Sequence, residues 1–180
     1  MNGRHFLFHT GVGFDAAVVA RVERRGSGIK RYAAHPLFVA ATFETWFRGY
    51  DHRNPAFRVE LPDGEVIEDG YFAVVSNTSP YTYLGSRPLV LAPDAGLDRP
   101  LGLTVFRTLR LPVMLSLAAS ALASGRRLVH HGAVAYRSDL TGLTISGYRP
   151  VPYQVDGDHL GEAEHLSFVY EPDALNLVVP

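Results

Sequence analysis

The sequence predicts a mainly β, α+β domain: an antiparallel β-sandwich with about three helices packed at its side. Three observations carry this reading. Runs of helical periodicity fall mostly in the first third of the chain and short strand-like runs dominate afterwards, without the regular strand–helix alternation of a parallel sheet. Several of those runs alternate apolar and polar residues with period two, as half-buried antiparallel strands do. Two tight-turn signals, Pro62-Asp63-Gly64 and Asp156-Gly157, separate such runs and read as hairpins.

In chain order, residues 5–9 form an aromatic-rich run that suits a strand, broken at Thr10-Gly11-Val12-Gly13. A helix then opens at Phe14 and reaches Arg24, with Asp15 placed to cap it or to complement its first turn. Gly26-Ser27-Gly28 reads as a linker, and a second helix is expected over 32–47, closed by Gly49 and Pro55. Residues 57–61 and 65–68 make a hairpin, and the nearly all-apolar 71–77 a central strand covered on both faces. Residues 78–88, rich in Ser, Pro, Tyr and Gly, read as a loop. A strand over 101–106 and a helix over 112–124 follow, then strands over 129–137, 143–147, 152–155, 164–170 and 176–179.

With 180 residues, the chain is expected to be one domain spanning 1–180, and nearly half of it is hydrophobic. Its 17 basic and 18 acidic residues leave a net charge of −1, so there is no cationic excess for a nucleic-acid partner. Cysteine is absent, which removes disulfides, thiolate nucleophiles and cysteine-ligated zinc and fits a cytoplasmic location. The apolar run over 111–123 is shorter than the roughly 20 residues of a membrane span and reads as a packed helix.

Most catalytic signatures fail. Gly11-Val12-Gly13 lacks the third glycine and the surrounding βαβ unit of a dinucleotide loop. His130 and His131 would face opposite sides of a strand, and His5 and His9 would lie about 13 Å apart along one. No Gly-x-Ser-x-Gly elbow occurs. What remains are acids on turns. Asp156 and Asp158 flank Gly157, and Asp94 and Asp98 bracket Ala95-Gly96-Leu97, a loop that could hold a hard cation with backbone carbonyls.

Four segments in order, Thr10-Gly11-Val12-Gly13-Phe14-Asp15-Ala16, Ser76-Asn77 with the loop through Gly85, Ala92-Pro93-Asp94-Ala95-Gly96-Leu97-Asp98, and Gln154-Val155-Asp156-Gly157-Asp158, resemble the C-terminal domain of the diacylglycerol kinase-like lipid kinases, the superfamily that includes sphingosine kinases. The resemblance is closest to the bacterial branch that works at the membrane surface. It implies a two-domain enzyme whose nucleotide-binding N-terminal domain, with its Gly-Gly-Asp-Gly-Thr loop, is not in this chain. The chain would then be the lipid-substrate half of an ATP- and magnesium-dependent kinase, inactive alone. Asp158 takes the general-base position, where many relatives carry Glu, and Asp156 shapes the turn. Asp98 falls at the magnesium loop, although relatives usually read Leu-Asp-Asp-Gly where this chain has Leu97-Asp98-Arg99-Pro100. Asp15 and Asn77 take substrate-binding positions. The partners implied are a lipid substrate, the N-terminal catalytic domain and a transient membrane surface, and a homodimer is compatible with the sequence. The alternative is a non-catalytic β-sandwich that binds lipid or another ligand.

Overall fold

The computed structural model describes residues 1–24 and 51–174. The linker expected at 26–28, the helix expected over 32–47 and the strand expected over 176–179 lie outside the described residues. Within them the order is β1 (His9–Gly13), α1 (Phe14–Arg24), β2 (Phe57–Glu60), β3 (Val66–Gly70), β4 (Phe72–Ser76), β5 (Thr82–Leu84), β6 (Arg87–Leu89), β7 (Leu101–Phe106), α2 (Leu111–Ala123), α3 (Arg126–Val129), β8 (Val134–Leu140), β9 (Gly142–Val155) and β10 (Asp158–Val169). The mainly antiparallel β architecture with three described helices agrees with the sequence reading.

Eight strands form one sheet, ordered β3-β2-β9-β1-β4-β7-β8, with β10 paired to β9. Every pairing is antiparallel. The sheet nearly closes into a barrel because β9 serves both halves. Its first part pairs with β2 through Thr144, Ile145, Ser146 and Gly147, and its last part with β1 through Tyr153, Gln154 and Val155. Between them lies a corner where β10 steps from Ala163 to His165 while β9 steps from Val151 to Ser146. An added Cβ on Gly147 would lie 2.3 Å from the Arg149 carbonyl oxygen, so the corner needs a residue without one.

The two faces of this sheet make two cores. On the inner face Val12, Ala73, Val75, Leu103 and Val105 meet Phe57, Ile145 and Phe168 across the fold. On the outer face Phe14 and Val18 of α1, with Leu117 and Ala121 of α2, cover Phe72, Val74 and Phe106. Phe72 and Phe106, register partners, stack at 3.9 Å with ring planes 8° apart. β4 and β7 are buried at every position, as continuous apolar runs covered on both faces should be.

Several boundaries differ from the sequence reading. The first strand is not 5–9 but His9–Gly13, so the expected break is itself the strand. Thr10 and Val12 are fully buried there, and tertiary pairing overrides the poor strand preference of glycine. Gly11 stands opposite the fully buried Gln154. The strand expected from 129 begins at Val134. Arg126–Val129 is a helical turn instead, and His130 and His131 lie in the turn that follows. The expected loop over 78–88 carries a small hairpin, β5–β6. The runs at 143–147 and 152–155 are one continuous strand. No described helix is long and apolar enough to cross a membrane.

Candidate functional site at one end of the sheet

The β9–β10 hairpin closes through the two residues Asp156 and Gly157, at φ 50° and 93°. Positive φ at both positions is the type I′ geometry that matches strand twist, and Asp-Gly is among the sequences that reach it easily. Asp158 pairs with Val155 as the first residue of β10. Its carboxylate is exposed, and no described residue bonds to it.

Asp156 has a different task. Its Oδ2 accepts the N–H of Leu7 at 2.8 Å, and its Oδ1 accepts those of Phe8 at 2.9 Å and His9 at 3.0 Å. Its own N–H donates to the His9 carbonyl at 2.9 Å. Residues 7–9 are thus a strap laid against the turn. From the other side Asn77 holds the same strap, donating its side-chain amide to the Phe6 carbonyl at 2.9 Å and its backbone N–H to that of Phe8 at 2.8 Å. The buried Gln154 braces the turn from beneath, its Oε1 accepting the Gly157 N–H at 2.8 Å.

Sheet register explains why these residues meet. β4 ends at Ser76, opposite both the start of β1 (His9) and the start of β7 (Gly102). β9 ends and β10 begins at the same edge, since Val155 pairs with Thr10. Asn77, the loop carrying Asp98, and the turn carrying Asp158 therefore all emerge at one end of the sheet. Asn77 and Asp98 line one cleft of about 520 Å³ with Leu7, Leu97, Leu101 and Ser167 among its walls. Asp158 does not line it; it stands beyond the strap, three strand spacings or roughly 14 Å from β4. Asp15, second residue of α1, follows the opposite end of β1, and its side chain lies outside those described.

The 94–99 loop separates its acids. Asp94 accepts the Tyr136 hydroxyl through Oδ2 at 3.1 Å, and its N–H donates back to that hydroxyl at 3.3 Å. Arg99 is held by Asp139 in a two-point ion pair, Nε to Oδ1 at 3.0 Å and Nη2 to Oδ2 at 2.6 Å. That arginine lowers the Asp139 pKa. Asp98 has no partner among the described residues, and its Oδ1 lies 3.0 Å from where a Cβ on Gly96 would sit. No group of three or more candidate ligands forms among the described residues. One free carboxylate fits a magnesium ion shared with phosphate oxygens and does not fit a self-contained protein site.

Burial, reinforced by the Asp94 carboxylate, pushes the Tyr136 hydroxyl up to about 12. A folded-state value above the ordinary ~10 favours the fold while the phenol is neutral. This contribution is complete below pH ~10 and is lost as pH rises toward 12. Urea midpoints of wild type and Tyr136→Phe are accordingly expected to converge over that interval. A constant gap from neutral pH upward would remove Tyr136 as the titrating group.

What sequence reasoning missed is the strap. The hairpin and the turn-shaping place of Asp156 are legible in the residues, but nothing in the local pattern of 5–9 marks it as the partner of Asp156.

Among the solved structures that match are two described as candidate diacylglycerol kinases from Bacillus anthracis str. Sterne. One has a TM-score of 0.54 at 19% identity, the other 0.52 at 18%. Each match covers 97% of this chain and 56% of the other, so the chain spans little more than half their length. At such identities the likeness shows a shared fold. No protein-family model and no curated protein matches the chain.

Proposed function

We propose that this chain is the substrate-side half of a lipid kinase that transfers the γ-phosphoryl group of ATP to the hydroxyl of a diacylglycerol-like lipid. The observation that carries the reading is the unpaired Asp158 carboxylate, the first residue of β10 after a braced two-residue turn, at the sheet end that also presents Asn77 and Asp98. The fold shared with two candidate diacylglycerol kinases, each nearly twice as long, supports it and is the reason to propose that a further domain supplies the nucleotide site.

In this reading Asp158 accepts the proton of the lipid hydroxyl as its oxygen attacks the γ-phosphorus; the bond from phosphorus to the departing ADP oxygen breaks, and the proton rests on Asp158. An exposed acid with no hydrogen-bond partner among the described residues suits this role because no competing donor occupies its oxygens. Asn77 fixes the strap on the cleft wall, while Asp15, at the start of α1 beyond the opposite end of β1, is proposed to meet the substrate away from Asp158. Asp98 with neighbouring carbonyls would hold magnesium, which when bound offsets phosphate charge. The cytoplasm, which supplies ATP, is the proposed location.

The test is labelled-phosphate transfer from ATP to diacylglycerol in detergent micelles. The polypeptide joining this chain to the nucleotide-binding domain is expected to label the lipid, and the 180-residue chain alone is not. A folded two-domain polypeptide that binds diacylglycerol but never phosphorylates it would leave the ligand-binding reading in place.

A further inference from the structure

Helix α2 turns an uncharged side to solvent. A surface helix ordinarily carries charge on its outward face, yet Leu111–Ala123 has no acidic or basic residue at all. Leu117 and Ala121 point into the outer core; Leu115 is 58% exposed, and Pro112 and Ala119 are exposed on the same side. Among the described residues nothing covers this face.

Its charge surroundings are one-sided. Between Arg99 and Ser138 the sequence contains six arginines and no acid. Three of the six are neutralised by carboxylates from elsewhere: Arg99 by Asp139, Arg107 by Asp69 and Arg137 by Glu65. The three that remain bracket the helix, Arg110 just before it and Arg126 and Arg127 just after it, all exposed and without a carboxylate partner among the described residues. The β5–β6 hairpin packs against α2, tied by the Val90 N–H to the Ala121 carbonyl at 2.9 Å. It adds exposed Tyr83, Leu84 and Arg87, and residues 78–93 also lack an acid. Leu and Tyr side chains framed by unpaired arginines match the boundary between acyl chains and anionic headgroups.

We infer that α2 and the β5–β6 hairpin form an in-plane docking face for an anionic lipid bilayer. This names the surface on which the proposed lipid substrate would be met, and so rests on that reading for its purpose. Binding is measured without turnover, however, so either can fail while the other stands.

The experiment is co-sedimentation of the 180-residue chain with phosphatidylcholine vesicles, with and without phosphatidylglycerol. Wild type is expected to bind the phosphatidylglycerol vesicles and to release as salt rises. Leu115→Glu, at an exposed position and with a good helix former, should lower the partition coefficient about tenfold or more. The Arg126→Gln/Arg127→Gln double variant should lower it about 25-fold, near fivefold per cation lost. Val66→Glu, an exposed apolar site on β3 away from the cleft, should leave it unchanged, with circular dichroism confirming that each variant is folded. Absence of binding, or equal binding by wild type and folded Leu115→Glu, overturns the inference. So does a wild-type dimer in sedimentation that Leu115→Glu splits without any vesicle binding, which would make the face a contact between two copies.

Discussion

Replacing Asp158 by Asn in the two-domain polypeptide is expected to lower kcat by about 10²–10⁴-fold, the usual contribution of a positioned general base. The substitution is nearly isosteric, falls on an exposed side chain and breaks no described hydrogen bond, so KM for the lipid and the unfolding midpoint should barely move. Loss confined to kcat separates a proton-accepting role from a structural one. Asp158→Glu sharpens the test. Glu restores a base with one more methylene, so it should retain most of the activity if that base reaches the lipid hydroxyl. Full activity in Asp158→Asn would end the general-base assignment and direct attention to Asp98.

The second large effect is expected at Asp156. Asp156→Ala removes the acceptor for three backbone N–H groups and leaves a β-carbon at φ 50°. Charge-assisted hydrogen bonds contribute about 1.5–3 kcal/mol each where desolvated, but water can reach this exposed site, so the net hydrogen-bond loss is about 2 kcal/mol. The left-handed backbone adds about 1 kcal/mol for a residue without a short polar side chain. Asp156→Asn keeps one acceptor oxygen and tolerates that backbone, so it should lose only about 1 kcal/mol. Urea unfolding measures both, and equal midpoints for wild type and Asp156→Ala would mean that the strap is held by other contacts. In the two-domain polypeptide, Asp156→Ala should also reduce kcat, because freeing residues 7–9 loosens the turn that aims Asp158.

Much of this was legible in the residues because local and global preferences agree. Asp156-Gly157 is a two-residue hairpin turn by composition, and the structure places it in that geometry. The runs that became β4 and β7 are apolar at nearly every position, which only a strand covered on both faces explains. Where the two levels conflict, the sequence misleads. His5 to His9 has strand-like aromatic residues, whereas Thr10 to Gly13 has two glycines, yet the latter pairs with β4 and β9 and is buried at every position. Gly147, Pro150 and Pro152 resemble the end of one strand and the start of another. They are instead a corner in a single strand, because β10 continues alongside. The nearness of Asn77 and Asp98 was beyond local reading, since it follows from the register between Ser76 and Gly102. Arg99 directly follows the acidic loop, and only the fold shows it turned away to Asp139.

The shared strand β9 also limits how the molecule could be divided. A chain cut inside the corner at 147–150 would leave one piece with β2 and β1 but only half of the strand they both require, and the other with β10 lacking half its partner. Neither piece closes the barrel. The two should recover a shape only by reassociating, as complementary fragments do, so amide protons along both halves of β9 should exchange together rather than one half before the other.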